Sequence, residues 1–228
     1  MRKIIFGIFA HPDDEAFGPC GTLLLETQSG SELHLITLTA GENGTNPDND
    51  PDLGQTRLSE WQKAGKLLGA SSMQHFGYTD GTLHNLAMIE ISERITQVIH
   101  RVLETASEDT EIELMTLDLN GLTGHIDHIV AARAASLTFY RFKSTNARFR
   151  RIRYFCLPST YYPAQNTDWI YMEAGRPAEE IDETIDARNL KNDILAVMHA
   201  YHSQRGDAES QIATLGDDLG LNHFIVRS

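Results

Sequence analysis

The chain has 228 residues, 41% hydrophobic and 22% charged, the balance of a soluble globular protein with one sizeable core. Its formal net charge of −13 argues against nucleic acid or an anionic membrane as a bulk partner. Two cysteines, Cys20 and Cys156, lie in no C-x-x-C or zinc-ligand spacing and cannot frame a disulfide fold, so a reducing cytoplasm is the expected setting.

Lys3 to Phe9 is an apolar run of strand length. It is too short for a membrane span and no small-residue cleavage site follows it, so Met1-Arg2-Lys3 reads as the entry to a first strand, 3–10, and not as a signal peptide. That strand runs into Ala10-His11-Pro12-Asp13-Asp14-Glu15. Adjacent carboxylates repel and are costly to desolvate unless a cation holds them, and a metal ion is the simplest such cation. A helix is expected over 15–28, a β-branched strand over 33–39, and a long polar loop over 41–52. Next come a helix over 53–68 with Leu58, Trp61, Leu67 and Leu68 inward, a strand over 72–76 and a turn over 78–81. Ile91, Ile95, Val98, Ile99 and Val102 form one helical stripe within 86–105.

A strand over 111–117 and a loop over 118–124 lead to Gly124-His125-Ile126-Asp127-His128, which opens a helix running to about 140. His125 and His128 share a helix face, and Asp127 is near enough to take a proton from one ring nitrogen of His125. Strands over 152–157 and 169–172, helices over 190–201 and 206–215, and an edge strand over 223–226 complete the pattern. Strands alternating with helices, without hairpin signals, predict a Rossmann-like α/β fold: a mostly parallel sheet flanked by helices, in one domain, 1–228. A parallel sheet brings the His-Pro-Asp-Asp-Glu and Gly-His-Ile-Asp-His junctions to one edge. A 2-His-1-carboxylate site with open positions can form there, as a catalytic Zn²⁺ or Fe²⁺ requires.

These paired motifs resemble the LmbE/PIG-L superfamily of metal-dependent N-deacetylases. Supporting matches are Thr39-Ala40-Gly41-Glu42, Arg57 with Glu60 before Leu68-Gly69-Ala70, Tyr78-Thr79-Asp80-Gly81 and His202-Ser203-Gln204, in order over about residues 3–205. The resemblance implies His11, Asp14 and His128 as ligands of Zn²⁺, or of Fe²⁺ or another divalent metal. It implies Asp13 as the general base toward the attacking water. His125, as a protonated imidazole, would stabilise the oxyanion and help the amine leave, with Asp127 behind it. Arg57 would reach substrate hydroxyls or phosphate, though a surface pair with Glu60 is an equal alternative for it. Asn43 and Asp80 would contact the sugar, and His202 would lie near the pocket, with a structural histidine at a helix end an equal alternative for it. Glu15 reads as a supporting or helix-start residue. Ile126 and Thr123 stand where many relatives carry Pro and some carry Tyr.

The implied reaction is removal of acetyl from a small N-acetylglucosamine-type conjugate, with no nucleic-acid or membrane partner and a homo-oligomer left open. A larger N-acyl substrate, or a sugar- or metal-binding protein without turnover, are the alternatives. The basic stretch Arg141, Lys143, Arg148, Arg150, Arg151 and Arg153 reads first as a solvated face. Its functional alternative is a site for an anionic substrate tail or an acidic neighbouring subunit.

Overall fold

The computed structural model describes residues 2–161 and 175–228, and between them only the backbone of 165–166 and 171–172. In chain order the elements are β1 (Lys3–Phe9), α1 (Asp14–Phe17), α2 (Cys20–Gln28), β2 (Glu32–Thr39), α3 (Leu53–Leu67), β3 (Ala70–Tyr78), α4 (Met88–Leu103) and β4 (Glu111–Leu117). They continue with α5 (Gly121–Gly124), α6 (Ile126–Lys143), β5 (Phe149–Cys156), β6 (Gln165–Asn166), β7 (Tyr171–Met172), β8 (Glu183–Asp186), α7 (Lys191–Met198), α8 (Arg205–Leu215) and β9 (Leu221–Arg227).

Seven strands form one sheet in the order β3-β2-β1-β4-β5-β9-β8. The first five are parallel, while β9 runs antiparallel to both β5 and β8. Side chains of β1 alternate between two cores, as strand geometry requires. Ile4, Phe6 and Ile8 pack with α4 and α6 on one face. Ile5 and Phe9 pack with α2, α3 and α7 on the other. Burial on both faces explains why β1 reads as continuous apolar sequence. The strand order reverses at the β1–β4 pair, so the chain leaves these neighbours toward opposite faces and opens a crevice beyond their carboxyl ends.

Several expectations are corrected. The helix expected over 15–28 is two helices, because Pro19 has no N–H to continue the first and instead opens α2. The tail strand is interior, covered by β8, whose four-residue polar sequence Glu183-Thr184-Ile185-Asp186 gave no strand signal. Leu67 is half-exposed. Tyr171 and Met172 pair with Gln165 and Asn166, while Trp169 and Ile170 lie outside the described residues.

The basic stretch divides: Arg141 and Arg150 are exposed, as a solvated face requires, Lys143, Arg148 and Arg151 are half-buried, and Arg153 turns inward. Arg153 is 1% exposed and meets Glu26 at 2.8 Å and Glu113 at 3.0 Å. Arg151 reaches Glu113 at 2.9 Å and Glu183 at 3.1 Å. Lys3 adds a further bond to Glu26 at 3.1 Å. Burial pushes the Glu26 carboxyl up, but Arg153 and Lys3 outweigh it and hold the group below the usual carboxylate range. A depressed native pKa stabilises the fold above the unfolded value near ~4.3, and that stability is lost as pH falls through the native value. The urea midpoint should therefore drop with acidification below about pH 4.3, and Glu26→Gln should flatten that slope. An identical slope in the variant would show that Glu26 is not the linked group.

Candidate metal centre and catalytic cavity

At the end of β1 the chain turns sharply through Pro12. Asp13 takes φ 105°, a left-handed conformation that costs a non-glycine residue on the order of 1–3 kcal/mol. Arg57 of α3 holds it there. Its guanidinium donates to Asp13 Oδ2 at 2.7 Å, to the Pro12 carbonyl at 2.6 Å and to the Gly41 carbonyl at 2.7 Å. Glycine is required at 41, where φ is +67° and a Cβ would lie 2.4 Å from the guanidinium. Arg57 is thus 4% exposed, not a surface residue, and its terminal nitrogens are committed to the turn. Glu60, its alternative partner, accepts instead from Ser203 Oγ at 2.6 Å and Ser203 N at 2.9 Å.

Asp14 points the other way. Its Oδ2 accepts from the backbone N–H groups of Ala10 and His11, both at 3.0 Å, and its Oδ1 lies 3.1 Å from His128 Nε2. His11 Nδ1 is 3.1 Å from the same His128 nitrogen and 3.9 Å from Asp14 Oδ2. The far nitrogen of each ring fixes its tautomer. His128 Nδ1–H donates to the Gly121 carbonyl at 3.1 Å, leaving Nε2 as a lone-pair donor. His11 Nε2–H faces Asp80 Oδ1 at 2.9 Å and Asp127 Oδ2 at 3.4 Å, leaving Nδ1 for a ligand. Two imidazole nitrogens and a carboxylate at such spacing suit an ion that binds at about 2.0–2.2 Å, so the donor set fits a divalent metal. Two further sets offer one ligand atom per residue within 4.8 Å: His11, His125 and His128, and His11, Asp80 and Asp127.

Burial lowers the pKa of His11, but hydrogen bonds to Asp127 and Asp80 and the charge of Asp14 push it up to about 10. The pocket is built for a positive charge. Asp14 is pushed upward by burial yet held well below the usual range by His128 and His11. Asp13 is pushed up to about 7 by burial, against the pull of Arg57.

Asp80 and Asp127 correct the sequence reading. Asp80 is 5% exposed, and a buried carboxylate needs partners. One oxygen takes His11, and the other accepts from Asn43 N at 3.0 Å. It therefore backs a ligand, with both oxygens occupied by protein. Asp127 accepts from Gly81 N at 2.8 Å, from Leu83 N at 3.1 Å and from His11. Its carboxylate serves His11, and what it offers His125 is its backbone N–H, which donates to Nδ1 at 3.2 Å. His125 is thus the N-cap of α6. Burial, followed by the charges of His128 and His11, pushes its pKa down to about 4. The imidazolium expected from sequence is replaced by a neutral ring that accepts at Nδ1 and carries its proton on Nε2. Asp80→Asn should weaken metal binding about 10- to 100-fold, read by chelator competition; unchanged affinity would remove Asp80 from the ligand support.

These groups share a cavity of about 770 Å³ that Asp13, Arg57, Asn43 and His125 also line. His202 is exposed and does not line it; Gln204, two residues on, does, and donates to the Thr45 carbonyl at 2.9 Å. Glu15 is fully buried and accepts the Tyr201 hydroxyl; burial pushes its carboxyl up to about 8. The contacts of Gln204, Tyr201 and Gly121 join separate segments and carry no local sequence signal of their chemistry. Only the His-Ser-Gln motif hinted at the first.

A divalent-metal donor triangle at the switch point of a doubly wound sheet, with a poised carboxylate and an imidazole on the same cavity, defines the class. The model of the PIG-L family, GlcNAc-PI de-N-acetylase, matches residues 6–139, more than half of the chain, and the chain belongs to that family. A probable N-acetyl-alpha-D-glucosaminyl L-malate deacetylase 2 of Bacillus anthracis is 30% identical over 134 residues, 57% of this chain and 56% of that protein. A 1D-myo-inositol 2-acetamido-2-deoxy-alpha-D-glucopyranoside deacetylase of Streptomyces avermitilis is 30% identical over 158 residues, 60% and 53% of the two chains. The chain spans about half the length of the relatives it matches. N,N'-diacetylchitobiose deacetylase from Pyrococcus horikoshii superposes with a TM-score of 0.68 at 15% identity, over 99% of this chain and 82% of that one. GalB, the 4-carboxy-2-hydroxymuconate hydratase of Pseudomonas putida KT2440, superposes at 0.67 and 14%, over 100% and 97%. At such identities these likenesses show the fold alone, and the fold carries more than one chemistry.

Proposed function

We propose that this protein is a metal-dependent N-deacetylase that removes acetyl from a small N-acetylglucosamine-type conjugate, with 1–228 acting as one domain. The observation that carries the reading is the placement of Asp13 and His125 on one cavity beside the His11–Asp14–His128 triangle. Mere metal binding would need neither. The names of the relatives supply the sugar amide. Zinc is the metal we favour for two nitrogens and one oxygen, with Fe²⁺ the alternative. When bound, the ion polarises the amide carbonyl and acidifies water at neutral pH.

The chain's own residues do the rest. Ionised Asp13, held by Arg57, takes a proton from water as its oxygen bonds to the carbonyl carbon. His125 donates its Nε2–H to the carbonyl oxygen as negative charge gathers there. When the C–N bond breaks, Asp13 returns the proton to nitrogen, leaving a free amine and acetic acid, which gives its remaining proton to solvent as acetate. Asn43 and Gln204 line the cavity, and in this reading their amide oxygens accept from sugar hydroxyls while their nitrogens hold Asp80 and Thr45. Among the described residues no helix is long and apolar enough to cross a membrane, and the small substrate suits a cytoplasmic enzyme.

The test is acetate release by metal-loaded protein from a panel of N-acyl amino sugars, with chelated protein as control. Release from N-acetylglucosaminyl conjugates is expected. Release of larger acyl groups with acetyl untouched, or no release with any divalent metal, would overturn the reading.

A further inference from the structure

We propose that the cavity beyond the donor triangle takes an uncharged, apolar aglycone, so that the preferred substrate is an aryl or alkyl N-acetylglucosaminide and not a carboxylated or phosphorylated one. This names the substrate class of the deacetylase reading and rests on it.

The first observation is the layout of α8. Gln204 at its N-cap, then Asp207, Ser210, Gln211, Thr214 and Leu215, all line the cavity at three- and four-residue spacing, one face of the helix. From 204 to 215 the helix advances about 16 Å at 1.5 Å per residue, longer than one sugar ring. The N-terminal part of this face offers amide, carboxylate and hydroxyl groups suited to sugar hydroxyls. The C-terminal part ends on Leu215.

The second observation is the wall that Leu215 joins. Phe17, Leu117, Leu122, Phe155 and Leu157 line the same cavity. A narrow void of about 20 Å³ shares Phe17, Phe155, Leu157 and Leu215 with it and adds Cys20, Ile194 and Met198; Gln211, Asn222 and His223, whose pKa burial lowers, also line it. Gln211 donates to the Phe17 carbonyl, so this wall packs against the C-terminal half of α8, past the polar groups at its N-cap. That is the place of a group on the glycosidic oxygen, not of a longer acyl chain.

The third observation is charge. Among the described lining residues Arg57 is the only Lys or Arg, and it is bound to Asp13, Pro12 and Gly41. Nearby Arg205 is held by both oxygens of Asp48, at 2.6 and 2.7 Å, and Arg176 by both of Asp118, at 2.7 and 3.0 Å. Residues 162–174 contain no Lys, Arg or His in sequence. Asp207 adds negative charge to the wall. A malate or phosphate aglycone on this wall would be desolvated with no free Lys or Arg among the described residues to meet it.

The experiment compares kcat/KM of metal-loaded protein for phenyl and octyl N-acetylglucosaminides, free N-acetylglucosamine, N-acetylglucosaminyl L-malate, N-acetylglucosamine 1-phosphate and N-octanoyl glucosamine. The aryl and alkyl glycosides should exceed free sugar and both anions by at least about 10-fold, the lower range for one apolar group in a fitted pocket. Leu215→Arg should shift the ratio of malate to phenyl glycoside toward malate by about 10-fold or more. Anionic conjugates equal to or better than phenyl, or N-octanoyl glucosamine preferred over all, would overturn the aglycone assignment while leaving amide hydrolysis intact. If nothing is hydrolysed, the deacetylase reading falls separately. Calorimetry with phenyl glucosaminide and glucosaminyl malate then decides the subsite: tighter phenyl binding, reversed by Leu215→Arg, supports it, and equal binding overturns it.

Discussion

Asp13→Asn should lower kcat by about 10²–10⁴-fold while leaving the metal content unchanged. Asparagine suits this position better than alanine as a probe. It is isosteric, tolerates the positive φ that Asp13 adopts, and keeps an oxygen for Arg57. What it loses is the ability to accept and return a proton. Asp13 titrates near the pH at which it must work, because burial pushes it up to about 7 and the charge of Asp14 adds to that push, while Arg57 opposes both. Only the ionised form accepts a proton. The rate should therefore fall tenfold per unit on the acid side of its pKa, and a bound cation moves that limb below about 7. Removing the Arg57 charge with Arg57→Gln raises the pKa, so the acid limb should move to higher pH. A profile unchanged in Arg57→Gln, together with full activity in Asp13→Asn, would strip Asp13 of its role.

The two motifs were legible in the sequence because each is contiguous and each follows a strand buried on both faces. Their convergence needed only the parallel sheet, and β1 and β4 are indeed neighbours at the switch point. What was not legible is set by distant packing. Asp80 reaches His11 because the turn after β3 folds over the end of β1, and nothing local marks its carboxylate as a histidine partner. Arg57 meets Asp13 across 44 positions, through a gap that glycines at 41 and 44 keep open. Spacing alone placed Asp127 behind His125. The cap geometry of α6 instead turns its backbone N–H to that ring and leaves its carboxylate to the loop and His11. Within His202-Ser203-Gln204 the short 3-10 turn decides which side chain enters the cavity, a choice the motif cannot express. Within the basic stretch Arg151 and Arg153 read as solvated because their partners, Glu26, Glu113 and Glu183, come from three other elements.

His128→Ala should strip the metal and reduce turnover at least about 10³-fold, whereas His125→Asn should retain the metal and reduce kcat by about 10²–10³-fold. The pair is informative because the two rings stack 4.7 Å apart on the first turn of α6 yet face different tasks. His128 is oriented by the Gly121 carbonyl so that Nε2 meets Asp14 and His11. Alanine there opens the triangle and leaves Asp14 and His11 to share the site with a proton. His125 caps the helix through Nδ1, and asparagine, a favoured N-cap, keeps that bond to the Asp127 N–H while removing the Nε2–H donor. Loss of activity in His125→Asn therefore reports on the oxyanion side and not on an unravelled helix. One competing arrangement is the three-histidine set His11, His125 and His128, whose nitrogens also converge. It makes the opposite forecast: His125→Asn would lose metal as readily as His128→Ala, and Asp14→Asn would keep it. Measured metal content across the three variants separates these arrangements without reference to turnover, because ligand identity is read from occupancy alone.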